Sequence, residues 1–458
     1  MYIEQLYTDC LAEAAYYIES EGEAVIIDPL RETEPYIELA KKRNAKIKYV
    51  FETHFHADFV SGHIDLAKKT GALIVYGPMA DTTYKVHNAK DGEEFLIGKI
   101  KIRVLHTPGH TPESSCFLLL DEHGKENSIF TGDTLFVGDV GRPDLLDGVM
   151  TREELASMLY DSLNKKIKTL PDHIILYPAH GPGSACGKNI GKETVSTIGE
   201  QKKYNYALKD MSREEFIRQV TEDILPPPKY FFEDARINKE GYNSIDSVMH
   251  SNKNPMSLEQ FNKAAAQGAL ILDTRMPQEF ETGFVPGSLN IGLNGQYAVW
   301  VGTLINIKQP LILVTGIGNE EESILRLARV GYENVLGYLE GGVSAWTGKL
   351  ETITSITAEE MKLEVDNGLH VLDVRKPGEW NAGHLKEASF VPLSNMPANL
   401  SSLDKDEHYL VHCGGGYRSM VAISLMRKQG FKHLSNILGG FGAMQKAGME
   451  IVSETVAV

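Results

Sequence analysis

Short apolar runs alternate with helix-like stretches along roughly the first 235 residues. AAYYIES and EAVIIDP come first, then IKYVFETH, ALIVYGP, IKIRVLHT, SSCFLLL, NSIFTGD and HIILYPAH. Apolar runs of this length, bounded by turn residues, predict strands, and the helical spacing between them predicts an α/β domain. Several runs end in His or Asp. In α/β proteins the loops after strand ends are where a rigid scaffold carries chemistry. The Pro-rich stretch Ile224–Tyr230 then breaks the pattern, and a polar segment over 236–255 reads as linker.

The rest of the chain repeats itself. ALILDTRMPQEFETGFVPGSLNI (269–291) matches LHVLDVRKPGEWNAGHLKEASFV (369–391). Asp273 and Arg275 align with Asp373 and Arg375, Glu279 with Glu379, and Gly283 with Gly383. GYENVLGYLEGG (331–342) parallels GFKHLSNILGG (430–440). Duplication of a small α/β domain is the simple reading, with copies over 256–350 and 355–458.

Composition narrows the function classes. A length of 458 residues predicts two to four domains. The formal charge of −16 argues against a general nucleic-acid or membrane-surface binder, since phosphate repels an acidic surface. No apolar run approaches the ~20 residues of a membrane span, and the N-terminus does not read as a signal peptide. The expected location is therefore the cytoplasm. Four cysteines (Cys10, Cys116, Cys186, Cys413) are too few for a disulfide scaffold and form no CxxC pair. Cys10 and Cys116 lie in strand-like segments and are expected to be packing residues.

Thr53-His54-Phe55-His56-Ala57-Asp58-Phe59 directly follows an apolar strand. His110, Asp133 and His180 each follow another. A lone His or Asp after a strand is usually a polar loop residue or a cap. HxHxD with three further strand-end ligands in one domain predicts a metal site, because imidazole and carboxylate gathered at one sheet edge suit a first-row transition metal. Spacing does not choose between His54 and His56.

These residues, with LHTPGHTPES, TGDTLF and Gly141-Arg142-Pro143-Asp144, resemble the metallo-β-lactamase superfamily, in the branch of glyoxalase II and the persulfide dioxygenases. The resemblance implies an N-terminal αββα sandwich over residues 1–235. The sequence departs from the superfamily motif at Phe59, where a two-metal enzyme carries a His. This leaves a second ion Asp58, His180 and little else. The resemblance then implies one Fe(II) on His54, His110 and Asp133, with His56, Asp58 and His180 orienting ligands or shaping the pocket. Arg142 is either an anion contact for substrate or a surface ion pair. Cys186, in a Gly-rich loop past His180, is either a sulfur relay near the pocket mouth or a buried, incidental thiol.

In the last copy a strand runs into Cys413-Gly414-Gly415-Gly416-Tyr417-Arg418-Ser419 and then a helical pattern. A Cys on a Gly-rich loop opening a helix is set for reactivity, since loop N–H groups and the helix start favour an anion. Gly414, Gly415, Gly416, Tyr417 and Ser419 are the candidate cradle, with Arg418 as a fixed charge for thiosulfate or sulfite. The loop resembles that of rhodanese sulfurtransferases. The first copy has Thr315-Gly316-Ile317-Gly318-Asn319-Glu320 in that place, without Cys or Arg. It is expected to be a catalytically dead fold kept for packing, oligomerisation or positioning of Cys413.

The architecture expected is thus an αββα sandwich followed by two small α/β rhodanese-like domains. The resemblance implies a persulfide dioxygenase with sulfurtransferase activity. Its expected partners are a small thiol persulfide, O2 and sulfite or thiosulfate, with no nucleic acid or membrane, in a homo-oligomer. The rival readings are a zinc thioester hydrolase like glyoxalase II and a non-enzymatic persulfide or redox sensor.

Overall fold

A computed structural model describes residues 1–146, 149–224, 226–366 and 370–453. Leu225 of the Pro-rich stretch and Leu369 at the head of the second repeat lie outside the described residues. The chain divides into two compact units, Met1–Val248 with Ala328–Gly331, and Met249–Leu327 with Tyr332–Val458.

The first unit holds two six-stranded sheets. One contains β1 (Tyr2–Thr8), β2 (Glu13–Ser20), β3 (Glu23–Ile27), β4 (Lys46–Glu52), β5 (Leu73–Tyr76) and β6 (His87–Asn88) in sequence order. The other contains β7 (Glu94–Ile97), β8 (Ile100–His106), β9 (Ser115–Leu120), β10 (Glu126–Gly132), β11 (Ile175–Pro178) and β12 (Ser196–Thr197), also in sequence order across the sheet. The period of two along each strand builds the layers. Tyr16, Ile18, Phe51 and Val75 of one sheet meet Ile102, Val104, Phe117 and Phe130 of the other in one buried core. The alternate residues Ala15, Tyr17, Ile26 and Val50 face outward onto Tyr36, Ala40 and Leu66 of the helices Glu34–Lys42 and His63–Thr70. Leu118, Ile129 and Leu176 do the same against Ala156, Leu159 and Phe216. The result is an αββα sandwich.

In the second unit each copy carries a five-stranded parallel sheet. The first is ordered β13 (Pro255–Met256), β17 (Val335–Leu339), β16 (Leu311–Val314), β14 (Leu270–Asp273), β15 (Leu289–Asn290). In the second the order is β18 (Thr354–Ile356), β23 (His433–Ile437), β22 (His408–His412), β19 (His370–Asp373), β21 (Ala388–Phe390). β20 (His384–Leu385) pairs with β24 (Ile451–Val452) beside it. The repeat extends to side chains. Arg275 bonds Asp273 at 2.6 Å and Gly283 O at 3.0 Å, and Arg375 bonds Asp373 at 2.6 Å and Gly383 O at 2.8 Å. These repeated Asp–Arg pairs hold the loops after β14 and β19.

The segment 236–255, read from its polar residues as linker, is instead ordered structure. It contains the end of the helix Phe231–Glu240, the helix Ile245–Asn252 and β13. Some of its polar residues bond partners distant in sequence, as the Asn238 bonds below make plain. Among the described residues, no helix is long and apolar enough to cross a membrane.

Phe51 ties this packing to the chemistry that follows it on β4. Its ring packs 5.2 Å from Phe95 and 4.8 Å from Phe117, centroid to centroid. Phe51→Ala is expected to lower the stability of the first unit by about 3–5 kcal/mol, read as a shifted denaturant midpoint.

Candidate metal centre and sulfur-transfer site

β4, β8, β10 and β11 end on one side of the sandwich, and His54, His110, Asp133 and His180 lie just past those ends. Gly132 lets the two sheets come together there. Its φ is +50°, and a Cβ on it would lie 2.5 Å from Thr53 Oγ1.

Each imidazole is turned by a bond on its far nitrogen. The Thr53 hydroxyl donates to Asp28 Oδ2 at 2.8 Å, so at 2.9 Å from His54 Nδ1 it accepts that nitrogen's proton. His110 Nδ1 donates to Arg142 O at 2.8 Å, and His180 Nδ1 to Ala12 O at 3.2 Å. Each Nε2 is therefore a lone pair aimed into the site. His110 Nε2 lies 3.4 Å from Asp133 Oδ2, His54 Nε2 lies 3.8 Å from the same oxygen, and His180 Nε2 lies 3.5 Å from Asp133 Oδ1. These three nitrogens and both Asp133 oxygens are buried without a hydrogen-bond partner. Acceptor faces acceptor in a dry pocket, which is costly unless a cation stands among them. The donor set His54, His110 and Asp133 lies within 4.8 Å and fits one metal ion. Burial, then the neighbouring His56, His110 and His180, press His54 well below the usual imidazole range, which keeps it a neutral ligand.

The structure adds a member to the remaining pair. His56, Asp58 and His180 also lie within 4.8 Å, so Asp58 and His180 are not left alone. His56 is held from outside, with its Nε2 3.1 Å from Asp28 Oδ1 and its ring 4.4 Å from that of Phe59, centroid to centroid. Phe59 is fully buried, and its apolar ring, which cannot ligate, packs on His56.

Two candidates differ from their sequence reading. Arg142 is buried and bidentate to Asp144, at 2.6 and 2.7 Å, so its fork is committed to an internal ion pair rather than one on the surface. Its contribution to the centre is its carbonyl on His110. Cys186 is 1 % exposed and stands within 4.8 Å of the Asp133 and His180 ligand atoms, inside the cluster rather than at a mouth. Burial, then Asp58 and Asp133, push its thiol well up, so it stays protonated. Sequence reasoning missed Asn238, which lies in the supposed linker. Its Nδ2 donates to His56 O and Phe59 O, both at 2.8 Å, and its Oδ1 accepts from Ser61 N at 2.9 Å. One side chain thus satisfies three backbone groups of the ligand loop.

In the second unit β22 runs into Cys413, which is buried, and Gly416 N donates to its Sγ at 3.1 Å. Gly416, at φ +103°, caps the twelve-residue helix Tyr417–Lys428. Ser419 Oγ lies 3.7 Å from the thiol. Arg418 is not a lone charge, because it bonds Glu379 twice, at 2.5 and 2.8 Å. Burial pushes the Glu379 carboxyl up, but the Arg418 bonds, the Lys376 N–H and the charges of Arg418 and Arg375 together bring it down to about 2. The pair therefore stays ionised at neutral pH. In the first copy β16 ends at Val314, so Thr315 stands at the Cys413 position, with its hydroxyl buried and unbonded.

The metallo-β-lactamase superfamily model matches residues 8–180, and the rhodanese-like domain model matches 257–349 and 357–447. Persulfide dioxygenase ETHE1, mitochondrial, of Homo sapiens is 33% identical over 209 residues, 45% of this chain and 74% of that protein. A probable hydroxyacylglutathione hydrolase of Schizosaccharomyces pombe is 33% identical over 165 residues, 35% of this chain and 60% of that one. The crystal structure of a metallo-β-lactamase from Staphylococcus aureus subsp. aureus COL superposes with a TM-score of 0.66 at 34% identity, over 74% of this chain and 99% of that one. The chain belongs to the persulfide dioxygenase family of the metallo-β-lactamase superfamily and carries two rhodanese-like domains besides.

Asn238→Ala is expected to weaken metal binding by about 10–100-fold through the ligand loop, while Asp133→Ala removes it. Competition with a chelator of known affinity reads both.

Proposed function

We propose that the first domain is an Fe(II)-dependent dioxygenase of low-molecular-weight thiol persulfides, and that Cys413 carries a sulfane sulfur as a persulfide. The first reaction is RSSH + O2 + H2O → RSH + SO3²⁻ + 2H⁺. The second, Cys413–S–S⁻ + SO3²⁻ → Cys413–S⁻ + S2O3²⁻, moves one sulfur without net oxidation and can run either way. The observation that carries the reading is the orphaned set His54 Nε2, His110 Nε2 and Asp133 carboxylate, in a chain related to a persulfide dioxygenase.

When bound there, a ferrous ion held by two imidazoles and one carboxylate leaves about three positions open for O2 and a substrate thiolate. The protein's own work is positional. Thr53 and the Arg142 carbonyl fix the ligand tautomers, so the nitrogens are poised before metal arrives. Phe59 and Phe136 wall the pocket beside His56 and His180 and keep water out. Cys186 stands as a protonated thiol against Asp133 and His180. In the second unit the Gly416 N–H stabilises charge on the Cys413 sulfur.

Oxygen uptake with glutathione persulfide and sulfite release test the first reaction. Cys413→Ser is expected to abolish thiosulfate formation and leave oxygen uptake within about twofold. Loss of both together contradicts independent sites. Hydrolysis of S-lactoylglutathione without oxygen uptake would put the chain with its hydrolase relatives.

A further inference from the structure

The cysteine-free copy makes up part of the space in front of Cys413. Tyr417, four residues past the cysteine, donates its hydroxyl to Gly292 O at 2.7 Å. Its ring fills a notch that only glycine leaves open, because a Cβ on Gly295 would lie 2.6 Å from Tyr417 Cε2. Farther along the same helix Ser424 Oγ accepts from Asn290 N at 2.9 Å. This seating brings Gln296 and Trp300, at the start of the helix Tyr297–Leu304, into the wall of a cavity of about 490 Å³. Lys376, Glu379, Tyr417 and Arg418 line it from the second copy, together with Cys413.

That space is too large for an inorganic sulfur anion alone. Thiosulfate has five heavy atoms and, at roughly 30 Å³ per water-sized group, fills about a third of it. A volume of 490 Å³ lies in the range that encloses a whole small organic molecule. The charges point the same way. Glu379 neutralises Arg418, while Lys376 adds to the lining a second cation that can receive an anionic group. Gln296 offers an amide donor and acceptor, and Trp300 a flat apolar face. This lining matches a thiol with amide bonds and an anionic end.

We infer that the cysteine-free copy is the substrate-binding half of the Cys413 site, with Gln296 and Trp300 receiving the organic body of an amide-bearing, anionic thiol or its persulfide. The inference rests on the assignment of Cys413 as the sulfur carrier. In the exchange, RS–SH + Cys413–S⁻ → RS⁻ + Cys413–S–SH. The thiolate attacks the terminal sulfur, the RS–SH bond breaks as the Cys413 S–S bond forms, and the electron pair leaves with RS⁻, which takes a proton from water.

The test measures sulfur transfer by the full-length enzyme from thiosulfate to glutathione, coenzyme A and cyanide. Gln296→Ala, at an exposed position, and the conservative Trp300→Phe are expected to raise the KM for one or both thiols about fivefold or more with little change in kcat. The preference for thiol over cyanide is expected to fall by the same factor, and the thiol more affected identifies which carrier the subsite fits. An equal loss with cyanide would reduce the two residues to structural bracing and overturn the inference, as would an unchanged preference. If the unaltered enzyme transfers sulfur to none of the three, the assignment of Cys413 fails first and the subsite with it.

Discussion

The structure of the first unit turns on one unresolved confrontation. Three imidazole lone pairs and the Asp133 carboxylate face each other at 3.4–3.8 Å in a pocket closed to water. No proton is placed between them, because each ring has already given its N–H to Thr53, Ala12 or the Arg142 carbonyl. A protein can hold such a cluster only if a cation completes it, so folding and metal binding are linked. The two sheets, the Gly132 contact with Thr53 and the Asn238 clamp all bring these acceptors together and keep them there.

The same scaffold bears on the choice between one ion and two. His54, His110 and Asp133 form one buried set, and His56, Asp58 and His180 form a second beside it. His56 is held outward by Asp28 and covered by Phe59. Phe59, packed on His56, offers no ligand of its own, which supports the proposed single ion with open positions over a bridged pair.

Much of this was legible along the chain because the ligands are covalently next to the strand ends that place them. HxHxD follows β4, and Asp133 follows β10. The duplication was legible for a similar reason, since Asp273–Arg275 and Asp373–Arg375 are local pairs that survive alignment. What stayed hidden depends on partners far apart in sequence. Asn238 bonds carbonyls 182 and 179 positions away, so its segment passed for linker. Arg142 reads equally as an anion contact or an ion pair until Asp144 is found in its fork. Glu379 aligns with Glu279, but only the fold sets it against Arg418. Gln296 and Trp300 belong to a copy without its cysteine, and no motif announces that they line the other copy's cavity.

The central claim is that one metal with open positions, rather than a bridged pair, supports the chemistry of the first unit. Stepwise anaerobic reconstitution of the metal-free protein with ferrous iron tests this most directly, with bound metal and oxygen consumption on glutathione persulfide followed together. The account predicts that activity rises in proportion to iron, saturates at one ion per chain, and is not supported by zinc. Saturation at two ions, or full activity with zinc, would contradict it.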